Sequence, residues 1–347
     1  MSDDAGEPVF LAAARGAATP WTPVWFMRQA GRSLPEYRAI RGDGSILDAI
    51  KNPTLAAEIT MQPVRRYGVD AAVLYSDIVV PAHAVGFGID VAPGTGPVAD
   101  APLRSRADLD RLRALEPDDI PYVSDAVGLV ADTLGDATPV LAFAGAPFTV
   151  ASYLIEGRPS RTYEHTKALM RVDESLWHDV LGRLADMAIT FIDVQLSAGA
   201  RAFQLFDSWS GTLSAADYDR YVLPHSRRVF AELALRHQGA PGIHFGIGCD
   251  HLLESLVAAG PRVIGLDWRT SISDARKRFG DRIGIQGNLD PALVLGGAEP
   301  ALLGTRDVLA DNAGRPGHVF NLGHGVHPGT DPDVLAAVVE FVHAETS

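Results

Sequence analysis

Eight short apolar segments, each suited to a buried strand, are spread along the chain with room for a helix between them. They are short and lack polar alternation, as is typical of a parallel sheet that is covered on its outer face. Most are followed by an amphipathic stretch, and eight such units in 347 residues predict a (β/α)8 TIM barrel. The predicted strands are Val24–Met27, Ala71–Tyr75, Val140–Ala144, Ala202–Phe206, Gly242–Phe245, Val263–Leu266, Ile283–Gln286 and Val319–Leu322.

The clearest predicted helix runs from about Asp173 to Ser197. Its apolar residues recur at intervals of three and four, which is the period of an α-helix with one buried face. They are Leu176, Val180, Leu184, Met187, Phe191 and Val194.

The domain organisation is predicted to be simple. No Ser-, Gly- or Pro-rich linker divides the chain, so residues 1–347 are expected to form one barrel domain, with residues 1–20 as a loosely ordered N-terminal segment. The turn-rich residues Gly86 to Ala101 predict an excursion after the second strand. Residues Leu103 to Leu134 predict extra helices before the third strand.

A local cationic segment stands out in an acidic chain. The formal net charge is -13 and the pI is near 5.2, which makes the broad basic face of a nucleic-acid-binding protein improbable. Between Trp21 and Lys51, however, Arg28, Arg32 and Arg38 cluster around Gly31. Guanidinium groups bind carboxylates and phosphates through paired hydrogen bonds. This segment therefore predicts a polyanionic small molecule as the ligand.

The sequence contains no feature of a membrane or secreted protein. No apolar run approaches the ~20 residues of a membrane span, and the acidic start Met-Ser-Asp-Asp is unlike a signal peptide. A cytoplasmic protein is expected. The single cysteine, Cys249, excludes an intramolecular disulfide and a zinc site with several cysteines.

Polar residues follow nearly every predicted strand. In TIM barrels the active site lies at the carboxyl ends of the strands, so these residues are candidates for one site. Each has a plain structural alternative: the arginines can form ion pairs at the rim, Asp77 and Ser208 can cap helices, and Tyr153 and His324 can be ordinary packed side chains. Their concentration on one predicted face favours function. The candidates are Arg28, Arg32, Asp77, Tyr153, Ser208 and His324, with the roles of Asp207, Asp267, Arg269 and His327 left open.

Six strings in this order resemble the uroporphyrinogen decarboxylase family, and the resemblance runs from about Pro23 to Asp333. The first and last strings are the most specific. The strings are Met27-Arg-Gln-Ala-Gly-Arg32-x-Leu-Pro-Glu-Tyr-Arg38, Tyr75-Ser-Asp77-Ile, Gly145-Ala-Pro-Phe-Thr, Tyr153-x-x-Glu-Gly157, Gln286-Gly-Asn288-Leu-Asp-Pro and Asn321-Leu-Gly-His324-Gly.

The resemblance implies a single-domain barrel, a homodimer, and cofactor-free loss of carbon dioxide from the four acetate side chains of uroporphyrinogen III to give coproporphyrinogen III. It implies no metal. It assigns catalysis to Asp77, Arg32, Arg28 and Tyr153. It assigns substrate binding to Arg28, Gln29, Ala30, Gly31, Arg32, Asp77, Tyr153, Ser208 and His324.

These residue types suit that chemistry. The substrate carries eight carboxylates, which cationic and polar side chains would hold in place. Protonation of a pyrrole ring would create the electron sink for decarboxylation, and the Asp77 carboxylate would stabilise the resulting positive charge. Tyr153 and Ser208 would hydrogen-bond a substrate carboxylate or position water. The proton donor stays open between Arg32, a poor acid at its ordinary pKa, and an ordered water.

Three other functions fit the sequence less well. A zinc-dependent methyltransferase on the same barrel would carry a His-x-Cys motif, whereas this chain has His244-Phe-Gly246. A non-catalytic tetrapyrrole carrier would have lost the charge-stabilising acid, whereas Asp77 is present. A metal-dependent hydrolase could use His244, Asp267 and His324, but their flanking residues give it no support.

Overall fold

The computed structural model describes residues 6–31, 33–42 and 44–347 and shows a mixed α/β fold. Seven of its strands form one parallel sheet in the order β1-β4-β5-β6-β7-β8-β9, so neighbours in the sheet are also neighbours in sequence among these strands. The strands are β1 Ala72–Val73, β2 Ile89–Ala92, β3 Gly96–Ala99, β4 Val140–Gly145, β5 Ala202–Asp207, β6 Gly242–Gly246, β7 Val263–Gly265, β8 Gly284–Gln286 and β9 His318–Val319.

Helices connect and cover these strands. The helices are α1 Val9–Ala14, α2 Pro35–Arg41, α3 Ile46–Ile50, α4 Pro53–Tyr67, α5 Val80–Ala84, α6 Arg106–Leu109, α7 Pro121–Leu134, α8 Pro147–Glu156, α9 Glu164–Val172, α10 Glu174–Ser197, α11 Ala215–Tyr221, α12 Leu223–Arg236, α13 Leu253–Ala258, α14 Ile272–Phe279, α15 Pro291–Leu295, α16 Ala298–Asn312 and α17 Pro332–Thr346. Among the described residues, no helix is long and apolar enough to cross a membrane.

The prediction of the first strand was wrong. Val24–Met27 does not form a strand but only an isolated parallel bridge between Val24 and Phe320. Side chains explain this, because they bind backbone N–H groups that a strand ladder would use. Val24 N donates to Asp70 Oδ2 (2.7 Å) and Met27 N donates to Asn321 Oδ1 (3.1 Å). The other seven predicted strands each contain or overlap a strand of the sheet.

The insertions agree with their predictions. The excursion after the second predicted strand is the antiparallel hairpin of β2 and β3, and α6 and α7 are the extra helices before β4. The long predicted helix is α10. Its first turn is capped by Asp173, whose side chain accepts a hydrogen bond from Leu176 N (2.9 Å).

Part of the N-terminal segment is ordered against the core. Within residues 1–20, which the sequence predicts to be loosely ordered, α1 buries Phe10 and Leu11 completely. Residues 1–5 lie outside the described residues. The buried apolar side chains of the described chain, including those of α1, form one continuous cluster around the sheet.

Candidate active site

The predicted site residues lie in loops that follow the carboxyl ends of successive strands. Asp77 follows β1, Ser208 follows β5, and His324 follows β9. Tyr153 lies on α8, which begins directly after β4. Because the strands are parallel, these loops share one edge of the sheet.

Asp77 is a half-buried carboxyl group at the start of the loop into α5. Its Oδ1 accepts a hydrogen bond from Val79 N (3.0 Å), which closes a turn before α5. The N-cap of α5 is Val79, so Asp77 does not cap this helix as the structural alternative predicted. Burial raises the pKa of Asp77, while the turn hydrogen bonds and the charge of Arg28 act in the opposite direction. The carboxyl group therefore combines a structural bond with an electrostatic contact to the predicted substrate-binding arginine.

Arg28 is an exposed residue in a left-handed backbone conformation, with φ of 62°. Its side chain packs against Gly325 so closely that a Cβ atom there would lie 2.5 Å from Arg28 Cδ. Within the described part of the chain, Arg28 forms no ion pair with an acidic side chain. Its guanidinium is thus available to a ligand.

The residues directly after Arg28 are buried or half-buried as far as the structure describes them. Gln29 is fully buried, and its amide accepts from Phe26 N (2.9 Å) and donates to Ala71 O (3.0 Å). Its side chain therefore fixes the loop to the start of β1. The contact with substrate that the family resemblance implies for Gln29 and Ala30 concerns their backbone. Ala30 is half-buried and Gly31 is buried. Arg32 lies outside the described residues.

Tyr153 is half-buried beside an aromatic residue that the sequence analysis did not single out. Its ring makes an edge-to-face contact with Trp209 at 6.0 Å between centroids, and Tyr163 lies on Trp209 at 5.8 Å. Burial raises the pKa of Tyr153 to about 12, and the charges of Asp77 and Arg28 also act on the phenol. Tyr153 is therefore a neutral hydroxyl near both groups. The sequence signal for Trp209 was its position directly after Ser208.

His324 sits between two glycines that permit close packing on both sides. Gly323 faces the backbone of Trp268, and Gly325 faces the side chain of Arg28. Gly325 N donates a hydrogen bond to His324 Nδ1, so the proton of the neutral ring lies on Nε2. Burial, and then the charge of Arg28, lower the pKa of His324 to about 4.

Ser208 is half-buried and makes no side-chain hydrogen bond to a residue that the structure describes. The preceding Asp207 is completely buried and holds this loop in place. Its carboxylate accepts hydrogen bonds from Thr149 Oγ1 (3.0 Å) and Tyr218 OH (3.2 Å). Thr149 Oγ1 in turn accepts from Trp209 N (3.2 Å). Asp207 thus connects α8, α11 and the Ser208 loop.

The loop after β7 forms a second compact cluster. Asp267 is buried, and its carboxylate accepts hydrogen bonds from Gly248 N (2.5 Å) and Arg269 N (2.9 Å). The guanidinium of Arg269 donates to the same carboxylate (2.6 Å) and stacks over Trp268 at 4.0 Å.

The structure does not arrange the residues of the two metal-dependent alternatives, the methyltransferase and the hydrolase, as a metal site among the described residues. Cys249 is buried and its thiol lies 3.3 Å from Ser210 Oγ, while burial raises its pKa to about 12. Over residues 6–31, 33–42 and 44–347, no three His, Cys, Asp or Glu side chains are placed to hold a metal ion. The trio of His244, Asp267 and His324 is therefore not brought together as a ligand set.

A surface pocket of about 230 Å³ lies elsewhere, at the amino ends of β5 and β6. Its lining includes Leu11, Arg15 and His237. The three basic side chains around it already lie against acidic partners, Arg15 against Glu7, Arg201 against Asp136 and His237 against Asp193. The converging polar loops at the opposite end of the sheet are the stronger candidate site.

Comparisons with known proteins relate nearly the whole chain to one family. Residues 6–345 match the family model described as uroporphyrinogen decarboxylase. The chain is 56% identical to a uroporphyrinogen decarboxylase of Streptomyces coelicolor over 98% of this chain and 95% of that protein. It is 53% identical to a uroporphyrinogen decarboxylase of Salinispora tropica, with 99% and 92% covered.

Among solved structures, the fold is similar to that of a methyltransferase from Methanosarcina mazei, with a TM-score of 0.80, 18% identity and 97% of both chains covered. A putative vitamin-B12 independent methionine synthase from Listeria monocytogenes gives a TM-score of 0.54 at 11% identity, with 96% of this chain and 98% of that chain covered. At these identities the likeness concerns the fold alone.

Proposed function

This chain belongs to the uroporphyrinogen decarboxylase family, and from that premise we propose that it is a carboxy-lyase of tetrapyrrole biosynthesis. It converts uroporphyrinogen III to coproporphyrinogen III by removing carbon dioxide from four acetate side chains. The observation that supports this proposal is the meeting of Asp77, Arg28, Tyr153 and His324 at one edge of the sheet, where the charge of Arg28 acts on each of the other three.

Substrate carboxylates are held first. Arg28 offers an exposed guanidinium that no described acid occupies, and this group pairs with an acetate or propionate through two hydrogen bonds. His324 donates from Nε2, because its Nδ1 accepts from Gly325 N. These contacts fix the macrocycle so that one pyrrole ring faces Asp77.

Decarboxylation then needs an electron acceptor for the electron pair of the bond to the departing carboxylate. A proton added to the ring α-carbon next to the carbon that bears the acetate makes the latter carbon electron-poor and the ring a cationic electron acceptor. The bond between the acetate CH2 and its carboxyl carbon breaks, carbon dioxide leaves, and the pair forms an exocyclic double bond. A proton is then added to the exocyclic CH2 carbon, which becomes a methyl group. Loss of the proton that was first added to the ring restores the pyrrole.

Asp77 stabilises the cationic ring. Its carboxylate accepts hydrogen bonds from pyrrole N–H groups and lies where positive charge develops. Because burial already raises its pKa, the ionised form gains most when a cation lies beside it. The neutral phenol of Tyr153 and the hydroxyl of Ser208 hydrogen-bond a substrate carboxylate or a water. Arg32 or an ordered water supplies the ring proton.

The assembly around this site is also proposed. The chain forms one barrel domain over residues 1–347, and the segment around Trp25 closes the sheet between β9 and β1. Two bonds support this closure: Trp25 N donates to Phe320 O (3.3 Å) and Asp70 N donates to Val24 O (2.8 Å). We further propose that the enzyme is a cytoplasmic homodimer.

The first experiment is an anaerobic assay of EDTA-treated protein with uroporphyrinogen III, in which products are oxidised to porphyrins and separated by their number of carboxylates. Accumulation of the four-carboxylate product is expected, since the ring itself supplies the electron sink. Recovery of unreacted substrate from folded protein would refute the proposal. Restoration of activity only by added zinc would refute the cofactor-free route.

A further inference from the structure

We infer that Arg269 is a second carboxylate-binding arginine of the substrate cleft, on the opposite side of His324 from Arg28. This inference rests on the proposed function, because a substrate with several carboxylates is what such a residue would hold. Arg269 lies outside every string that carried the family resemblance. The structure provides three arguments for it: a fixed guanidinium, its location, and its unused donors.

The guanidinium of Arg269 is held in one place before any ligand arrives. It stacks over the Trp268 ring at 4.0 Å, and its Nη1 donates to Asp267 Oδ2 at 2.6 Å. The side chain nevertheless remains 53% exposed. A charged side chain that is both fixed and accessible loses little conformational entropy on binding, which favours affinity.

Its location follows from the loop that carries His324. On one side, Gly323 lies so close to the backbone nitrogen of Trp268 that no Cβ fits between them. On the other side, Gly325 lies against the Arg28 side chain. The loop is therefore sandwiched between Arg28 and the Trp268–Arg269 segment. Both arginines act electrostatically on His324.

The contact with Asp267 does not use up the guanidinium. An arginine has five N–H donors, and a single Arg269 donor, on Nη1, reaches the Asp267 carboxylate. If the ion pair served only to hold Asp267 in place, Asp267 would be expected to depend on Arg269 as its main partner. Asp267 also accepts from Gly248 N and Arg269 N, so it remains hydrogen-bonded when the guanidinium is removed. The remaining donors of Arg269 have no hydrogen-bond partner among the described residues, so they are open to a ligand.

The test compares Arg269→Gln, Arg269→Lys and the control Arg262→Gln. Arg262 is an exposed arginine immediately before the same strand, β7, at the end away from the site. Binding of uroporphyrin III, the oxidised octacarboxylate, is measured by fluorescence titration. KM and kcat are measured with uroporphyrinogen III, and unfolding midpoints report on the fold.

We expect Arg269→Gln to weaken uroporphyrin binding about tenfold, the loss typical of one charge-assisted hydrogen bond. KM should rise by a similar factor while kcat stays near the wild-type value. Arg269→Lys should lose less because it keeps the charge without the planar fork. Arg262→Gln should match the wild type in every measurement.

Two outcomes separate the inference from the proposed function. If the wild type decarboxylates its substrate and Arg269→Gln binds uroporphyrin as tightly as Arg262→Gln does, Arg269 is not a binding residue and only this inference falls. If the wild-type enzyme neither binds uroporphyrin nor turns over uroporphyrinogen, the proposed function falls as well. A drop in kcat at unchanged KM would also overturn the binding role.

Discussion

At the scale of single residues, Asp77 is subject to opposing demands. Its turn hydrogen bond to Val79 N and the charge of Arg28 favour the carboxylate, whereas burial raises its pKa and favours the neutral acid. In the free protein the ionised form is thus held at a cost, and a cationic ring is what would relieve it. Removal of the charge at this position should therefore lower activity without lowering the stability of the fold.

The first prediction is that Asp77→Asn lowers kcat by about 10²- to 10³-fold, the usual effect of losing one preorganised electrostatic contact. The unfolding midpoint should be equal to or higher than that of the wild type. A carboxyl group whose pKa is raised in the folded state destabilises the fold as the pH rises through that pKa, and asparagine removes this charge while its amide oxygen still accepts from Val79 N.

Asp290→Asn is the matched control. Asp290 also follows a strand of the sheet and accepts a hydrogen bond from the residue two positions later, Ala292 N (2.9 Å). Its substitution should leave turnover near the wild-type value. Turnover of Asp77→Asn close to that of this control would show that the electrostatic role is wrong.

The sequence predicted where the candidate residues lie in the fold better than it predicted the contacts that they make. Asp77, Tyr153, Ser208 and His324 do follow strands of one sheet, because strand ends can be located from apolar segments. The burial of the Gln29 amide against Phe26 and Ala71 could not be predicted. Such a contact depends on which backbone groups the folded loop leaves unpaired.

At the scale of elements, the loop from Asn321 to Val326 is the most constrained connection of the site. Its two glycines face different kinds of neighbour. Gly323 faces a backbone nitrogen, which cannot move away, and Gly325 faces the flexible side chain of Arg28. The same substitution should therefore have different effects at the two positions.

We predict that Gly323→Ala lowers stability and displaces the His324 loop. Gly325→Ala should fold with a near-normal unfolding midpoint but raise KM several-fold, because a Cβ atom would lie 2.5 Å from Arg28 Cδ and push the guanidinium aside. Thermal unfolding and steady-state kinetics of both variants check this. Equal losses of stability at the two positions would contradict it.

Seven of eight predicted strands correspond to strands of the sheet because a buried parallel strand needs only a short apolar segment between turns. The segment Val24–Met27 has the same composition and yet forms only a bridge. The reason lies in remote side chains, Asp70 and Asn321, which bind its N–H groups. Hydrogen bonds from side chains so far away in the sequence cannot be predicted from the residues of the segment itself.

At the scale of the whole molecule, three histidines tie stability to pH. Burial is the first cause that lowers the pKa of His225, His318 and His324, each to about 4. In the unfolded chain these groups take up protons near the ordinary value of 6.5. Between these two values the unfolded state binds more protons than the folded state.

Stability should therefore fall as the pH is lowered from about 6.5 towards 4. Urea unfolding at pH 7.5, 6.5, 5.5 and 4.5 measures the free energy of unfolding across this window. His225→Gln removes one of the three titrating groups and should give a shallower decline than the wild type. A free energy of unfolding that is constant over this range would contradict the prediction.

The bridging segment near the N-terminus also has a consequence for biosynthesis. Met27 is held by Asn321, which lies 294 positions later in the chain. At about 5–20 residues per second, a ribosome needs roughly 15–60 s to make that stretch. During this time the apolar residues Val24 to Met27 lack their final neighbours, so this segment can reach its native contacts only after almost the whole chain has been made.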